Sequence, residues 1–109
     1  MKLTVKERVI LLSVLPGEGD FLSLKLVRKL REDLSFSEEE TKMFEMKHDK
    51  AKGQISWDPN CTGVEKEVEI GLKTYEIIKE ALEALNRQKK LQDGMIELYE
   101  KFVEQQIKL

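Results

Sequence analysis

Cysteine and histidine are the scarcest chemistry-bearing residues in this 109-residue sequence, which holds one of each, Cys61 and His48. A lone cysteine cannot form a disulfide within the chain. This fits a reducing compartment, so we expect a cytoplasmic protein. Structural zinc sites take four Cys or His ligands and catalytic zinc sites take three protein ligands, more than these two residues supply. We therefore expect no metal ion and no cofactor.

Long hydrophobic runs are also missing. A helix that spans a bilayer needs about 20 consecutive apolar residues, and no stretch of the sequence approaches that length. The apolar run at residues 9–15 follows basic residues, as it would in a secretion signal. However, the run is short, Glu7 lies among those basic residues, and no small-x-small cleavage site follows. We expect neither secretion nor a membrane partner.

No part of the chain carries a dense basic charge. The net charge is −2, to which residues 1–35, 36–71 and 72–109 contribute +2, −4 and 0. Unspecific binding of nucleic acid needs a concentrated basic surface, and these values do not favour one. No long linker divides the chain either, so we expect a single domain over residues 1–109.

The sequence also lacks a recognisable set of catalytic residues. Nucleophilic catalysis needs a nucleophile beside a base, and Cys61 and His48 are the residues that offer this combination. They flank the same predicted strand, but the sequence indicates no third group that orients the histidine and no oxyanion site. Paired carboxylates can also serve in catalysis, but Glu65, Glu67 and Glu69 alternate along one predicted strand, which indicates a solvated strand face. We predict no catalytic residues and therefore no enzyme.

The sequence does contain a clear set of helix signals. Thr4 with Glu7, and Ser37 with Glu40, have the spacing of capping boxes, in which each side chain bonds a backbone N–H at a helix start. Between them lies an apolar stripe at three- and four-residue spacing, made of Leu26, Val27, Leu30 and Leu34. These signals predict three N-terminal helices.

The hydrophobic period changes to two after the third predicted helix. Residues 44–49, 54–58 and 64–70 each alternate apolar and polar side chains, as half-buried strands do. Three short neighbouring strands predict an antiparallel meander. The helical period returns after Gly71 with a break at Asp93-Gly94, which predicts a helical hairpin that covers the sheet. The predicted fold class is α+β: three N-terminal helices, a three-stranded antiparallel β-meander and a C-terminal helical hairpin.

The last predicted helix carries the residues for which we expect a protein interface. They form one apolar stripe: Met95, Tyr99, Phe102, Val103 and Ile107. Two helices on a small sheet can leave part of such a stripe uncovered, and aromatic and Met side chains are enriched in interfaces between proteins. The same residue types also suit a core, and the sequence leaves the two readings open. An uncovered stripe predicts a protein partner or a homodimer.

The order of the predicted elements has a second interpretation. Three helices followed by a β-hairpin is the order of a winged-helix domain, in which Lys47, Lys50 and Lys52 would lie near the wing tip and contact nucleic acid. However, the helix that would enter the major groove begins Ser37-Glu38-Glu39-Glu40. Carboxylates repel phosphates at the place where recognition helices present Arg, Lys, Asn or Gln. Nucleic-acid binding is therefore the disfavoured alternative.

Parts of the sequence resemble uncharacterised small proteins encoded by phages and prophages. The resemblance lies in Leu3-Thr4-Val5-Lys6-Glu7-Arg8, in Leu15-Pro16 followed by Glu18-Gly19, in Leu24-Lys25-Leu26-Val27-Arg28-Lys29-Leu30-Arg31 and in Leu98-Tyr99-Glu100-Lys101-Phe102. It covers roughly the N-terminal third and implies a small accessory protein that acts on a host or phage protein complex. Together with the missing catalytic groups, it favours a non-enzymatic protein-interaction or accessory protein.

Overall fold

The structure is a computed structural model that describes residues 1–49 and 51–104. Over these residues the fold is α+β, with five α-helices and two small antiparallel sheets, which confirms the predicted class. The strands are β1 (Lys2–Thr4), β2 (Lys47–Asp49), β3 (Gln54–Ser56) and β4 (Glu65–Glu67). The helices are α1 (Val5–Val14), α2 (Phe21–Leu34), α3 (Glu38–Met43), α4 (Leu72–Arg87) and α5 (Ile96–Tyr99). The described residues also form short turns: 3-10 turns at Pro59–Cys61 and Asp93–Met95, and a π-helical turn at Glu100–Glu104.

Both predicted capping boxes are present. The Thr4 hydroxyl accepts a hydrogen bond from the Glu7 backbone N–H at 3.1 Å, and the Ser37 hydroxyl accepts one from the Glu40 N–H at 3.1 Å. In return, the Glu7 carboxylate accepts from the Thr4 N–H at 3.0 Å, and the Glu40 carboxylate accepts from the Ser37 N–H at 3.2 Å. Each hydroxyl cap contributes about 1 kcal/mol to the stability of its helix.

The two sheets pair strands that are far apart in the sequence as well as neighbours. β1 pairs antiparallel with β4, with Leu3 opposite Lys66. The backbone N–H of Val68 extends this ladder by donating to the Met1 carbonyl at 2.8 Å. β2 and β3 form a hairpin that is a separate two-stranded sheet among the described residues. The predicted three-stranded meander is not confirmed, because β4 pairs with β1 and not with β3.

The reason for this difference lies in the segment between β3 and β4. The 3-10 turn Pro59–Cys61 separates the two strands, and the Asp58 carboxylate caps that turn by accepting a hydrogen bond from the Asn60 N–H at 3.0 Å. Alternation of apolar and polar residues identifies a strand but not its partner. β1 is three residues long, too short for its own alternation to be visible. Only the structure therefore reveals where β4 finds its hydrogen bonds.

One hydrophobic core joins the helices to the β1–β4 sheet. Its buried members are Leu3, Leu11, Leu15, Val27, Leu30, Leu34, Val68, Ile78, Leu82, Leu98 and Phe102. Three residues of the stripe predicted on α2 are among them, and the fourth, Leu26, is half-buried. In contrast, both strands of the β2–β3 hairpin are exposed along their whole length. The hairpin therefore stands outside the core.

Arg8 is a buried charge that fixes α1 against the junction of α2 and α3. Its side chain is 1% exposed. Nε donates to the Leu34 carbonyl at 3.2 Å and Nη2 donates to the Ser35 carbonyl at 2.8 Å, which satisfies carbonyl groups at the end of α2. The guanidinium also binds both carboxylate oxygens of Glu40, at 2.6 and 3.2 Å, and lies 3.9 Å from the Phe36 ring centroid. The hydrogen bonds from Arg8 lower the pKa of Glu40.

Candidate functional site

The helical segment over residues 93–104 contains most of the residues that the sequence singles out for an interface. It begins with the 3-10 turn, continues as α5 and ends in the π-helical turn. Leu98 and Phe102 are four residues apart and both are buried, at 1% and 0% exposure. The Phe102 ring packs against the Tyr75 ring of α4, with 5.2 Å between the ring centroids. This inner side therefore anchors the segment to the core.

Lys101 fastens the same segment to the N-terminal end of the fold. Its Nζ donates to the Lys2 carbonyl at 2.9 Å and to both carboxylate oxygens of Glu7, at 3.1 and 3.2 Å. Glu7 is itself buried, at 7% exposure, and belongs to the capping box of α1. Because its ammonium is held there, Lys101 does not neutralise the carboxylates on the outer side of the segment.

The outer side of the segment forms a shallow, open groove. The groove has a volume of about 550 Å³ and is lined by Leu91, Ile96, Tyr99, Glu100 and Glu104. We name it the C-terminal groove. Ile96 is 49% exposed, although its side chain is large and apolar. The Tyr99 hydroxyl accepts a hydrogen bond from the Asn86 side-chain amide at 3.2 Å, which holds its ring in place.

Two of the five residues that line the C-terminal groove are acidic. Residues 91–104 contain one cation, Lys101, and four carboxylates: Asp93, Glu97, Glu100 and Glu104. Glu100 and Glu104 line the groove itself, and like charges four residues apart in a helix repel one another. A cation bound between these carboxylates relieves that repulsion. The groove therefore favours a ligand that combines apolar side chains with positive charge.

The structure distributes the predicted interface residues among different environments. Tyr99 lines the C-terminal groove. Met95 and Val103 are half-buried, and Val103 packs against the core. Phe102 is completely buried, so its expected place at an interface is corrected: the core covers the ring and leaves none of it for a partner. Ile107 lies outside the described residues.

Sequence reasoning missed two apolar residues of the groove, Leu91 and Ile96. The predicted stripe follows the inner face of the last helix, and Ile96 lies off that stripe. A large apolar side chain on the polar face of an amphipathic helix is unusual, because that face normally carries charged and polar residues. Ile96 can therefore be identified from the sequence as an apolar residue that lies outside the apolar stripe of its helix.

The exposed hairpin carries the residues of the nucleic-acid alternative. Lys47 and Lys52 are both exposed, and Lys50 lies outside the described residues. The helix that would serve for recognition, α3, is six residues long and has three glutamates in its first turn. Two of the predicted cations are therefore accessible on the hairpin. The helix that precedes the hairpin in the sequence is short and acidic.

Other chemistry has little support in the described part of the chain. His48 is exposed on β2, Cys61 is half-buried in a 3-10 turn, and no hydrogen bond joins the two side chains there. The described residues contain no cluster of three or more His, Cys, Asp or Glu side chains with the geometry to hold a metal ion. None of the described helices has the length and apolar character to cross a membrane.

No family model, curated protein or solved structure matches this chain. The function is therefore inferred from the geometry and charge of its surfaces.

Proposed function

We propose that this protein is a non-enzymatic interaction protein that binds a protein partner through the C-terminal groove. One observation carries the proposal: Ile96 is half exposed in an open groove that is also lined by two carboxylates, Glu100 and Glu104. The groove is too open to enclose a small molecule, since ligand pockets bury most of the ligand surface. An amphipathic helix laid along a groove is a common way in which proteins recognise a protein segment.

The helix that forms the groove is anchored to the rest of the fold, which favours binding. Leu98 and Phe102 hold its helix on the core, and Lys101 ties the helix to Glu7 and to the β1 strand. A surface that is ordered before binding loses less conformational entropy when the partner arrives. Tyr99 adds an aromatic side chain, a residue type that often dominates the binding energy of an interface.

The resemblance to small phage and prophage proteins supports an accessory role in this proposal. One of the resembling segments, Leu98-Tyr99-Glu100-Lys101-Phe102, overlaps the helix that forms the C-terminal groove. In the proposed role, the protein is cytoplasmic and uses the groove to contact a host or phage protein complex.

Binding of designed amphipathic peptides tests the proposal. A helical peptide with leucines on one face and lysines on the other should bind, as measured by fluorescence anisotropy, and its affinity should fall as salt is added because salt screens exposed charges. The same peptide with glutamates in place of lysines should not bind.

Ile96→Glu should abolish binding of the basic peptide. Ile55→Glu is the matched control, because Ile55 is also an exposed isoleucine, at 40%, but lies on the β2–β3 hairpin. Equal loss of binding in both variants, or no binding by the unmodified protein, would contradict the proposal.

Nucleic-acid binding through the hairpin is the second candidate, and the exposure of Lys47 and Lys52 is what favours it. The three helices that precede the hairpin also keep the order of a winged-helix domain. Our proposal predicts no shift of duplex DNA in a gel at low salt. A shift that disappears in a Lys47→Glu, Lys52→Glu double variant would instead establish the second candidate.

A further inference from the structure

The first two turns of α2 expose a surface that the core does not use. Phe21 is 81% exposed, Leu22 is 57% exposed and Leu24 is 37% exposed. Two exposed cations, Lys25 and Arg28, follow on the same helix. We name these five residues the α2 patch. Isolated apolar residues at a surface are ordinary, whereas neighbouring exposed apolar residues form the kind of patch that is used for contacts with other proteins.

The α2 patch is fixed in place by the rest of its helix. Asp20 caps α2 by accepting a hydrogen bond from the Ser23 N–H at 2.8 Å. On the opposite side of the helix, Val27, Leu30 and Leu34 are buried in the core. The patch therefore cannot turn inward without removing these residues from the core, and it stays available to a partner.

The spacing of the α2 patch is that of a helix that binds in a groove. Phe21, Leu24 and Arg28 follow one another at three- and four-residue intervals, which places them on one face. Lys25 lies one turn after Phe21, with its Nζ 5.8 Å from the ring centroid. The face thus begins with apolar side chains and continues with two positive charges.

The C-terminal groove offers the complementary set. Its apolar side chains, Leu91, Ile96 and Tyr99, match the apolar part of the α2 patch, and its two carboxylates match the two cations. α2 contributes no residue to the lining of the groove, so the two surfaces are separate on one chain. Both are left exposed, and each has the chemistry that the other needs.

We infer that the C-terminal groove binds the α2 patch of a second copy of this chain. The inference rests on the proposed function and names the partner of the same groove. Because the two surfaces differ, the contact is head-to-tail: a pair of bound copies still presents one open groove, on one copy, and one open patch, on the other. Contacts of this kind continue into closed rings or open chains, and association should weaken with salt because two charge pairs lie at its edge.

Two variants that each remove one half of the contact test the inference by light scattering after gel filtration at low salt. The unmodified protein should exceed the monomer mass, and its mass should rise with concentration. The patch variant, Lys25→Glu with Arg28→Glu, and the groove variant, Ile96→Glu, should each associate at least about tenfold more weakly, since close charge pairs and central apolar contacts are commonly worth that much.

Mixing the two variants gives the sharpest result. The patch variant keeps its groove and the groove variant keeps its patch, so an equal mixture should form a pair of chains and nothing larger. The matched controls, Ile55→Glu and the Lys47→Glu, Lys52→Glu double variant, should associate like the unmodified protein. A four-fold variant with the two patch cations changed to Glu, and with Glu100→Lys and Glu104→Lys, should recover association.

A strictly monomeric unmodified protein would overturn the inference, and so would a patch variant that still associates. The proposed function is judged separately by the basic peptide. If the monomer binds that peptide in a manner that depends on Ile96, the groove is a protein-binding site for another partner. If it binds neither the peptide nor itself, both ideas fail. Circular dichroism of each variant should match that of the unmodified protein, because every changed residue is exposed.

Discussion

Replacing Arg8 tests the role that the structure gives to its buried guanidinium. Removing one partner of a buried ion pair costs about 3–5 kcal/mol, because the other charge is left without compensation. Glu40 is 22% exposed at its side chain, and its carboxylate still accepts a hydrogen bond from the Ser37 N–H, so water and this bond offset part of that loss. We therefore expect Arg8→Ala to lower the free energy of unfolding by about 3 kcal/mol, a large part of the 5–15 kcal/mol typical of a domain.

Equilibrium unfolding in urea measures this loss. For small proteins the free energy of unfolding falls by about 1–3 kcal/mol per molar urea, so the midpoint should shift down by about 1–3 M. Arg8→Lys should lose most of the same stability, because an ammonium cannot replace a planar fork that binds two carbonyls and a carboxylate at once. Arg87→Ala, at an exposed arginine of α4, is the matched control and should stay within about 0.5 kcal/mol.

The pH dependence gives an independent check through Glu40. Its pKa is lowered from 4.5, chiefly by the hydrogen bonds from Arg8. A carboxyl group with a lower pKa in the folded than in the unfolded state stabilises the fold above the unfolded pKa, and this stabilisation is lost as the pH falls through the folded pKa. The unmodified protein should therefore exceed Glu40→Gln in stability at pH 7, and the difference should shrink below about pH 4. A difference that does not change with pH, or an Arg8→Ala loss below about 1 kcal/mol, would refute the role given to this pair.

Two further outcomes concern the C-terminal segment. Phe102→Ala should lower the free energy of unfolding, measured by urea denaturation, by about 3–5 kcal/mol, since it leaves a cavity at a fully buried site. Ile96→Ala should change it by less than about 1 kcal/mol, because Ile96 faces the groove. Similar losses in both variants would contradict the assigned inner and outer faces. Lys101→Met should increase the hydrogen exchange of the amides in residues 96–104, because it removes the bonds to Glu7 and Lys2. Lys90→Met, at an exposed lysine, is its control, and equal exchange in the two variants would show that Lys101 does not fasten the segment.

The sequence predicts those parts of the fold that depend on local rules. The capping boxes at Thr4 and Ser37 are read from four consecutive residues, and the α2 stripe is read from one helical period. The partner of β4 is not local, because Glu67 pairs with Lys2 across most of the chain. Pairing of this kind depends on how the intervening helices pack, so the alternation of apolar and polar residues does not predict it.

The candidate site shows the same limit. The sequence predicts both Tyr99 and Phe102 at an interface; Tyr99 lines the groove, whereas Phe102 is buried in the core and packs against the Tyr75 ring. Arg8 was missed for a related reason. Arginine is rarely buried without a partner, and its partners come from residues 34–40, which the pattern of α1 alone does not reveal.

The pairing of β1 with β4 also has a consequence for synthesis of the chain on the ribosome. β1 is made before β4, which follows about 60 residues later, a delay of roughly 3–12 s at 5–20 residues per second. Throughout that interval the nascent chain holds α1 without the strand that closes the sheet beneath Leu3. The N-terminal helices therefore reach their final packing only after β4 and the later core residues Ile78, Leu82, Leu98 and Phe102 have been made.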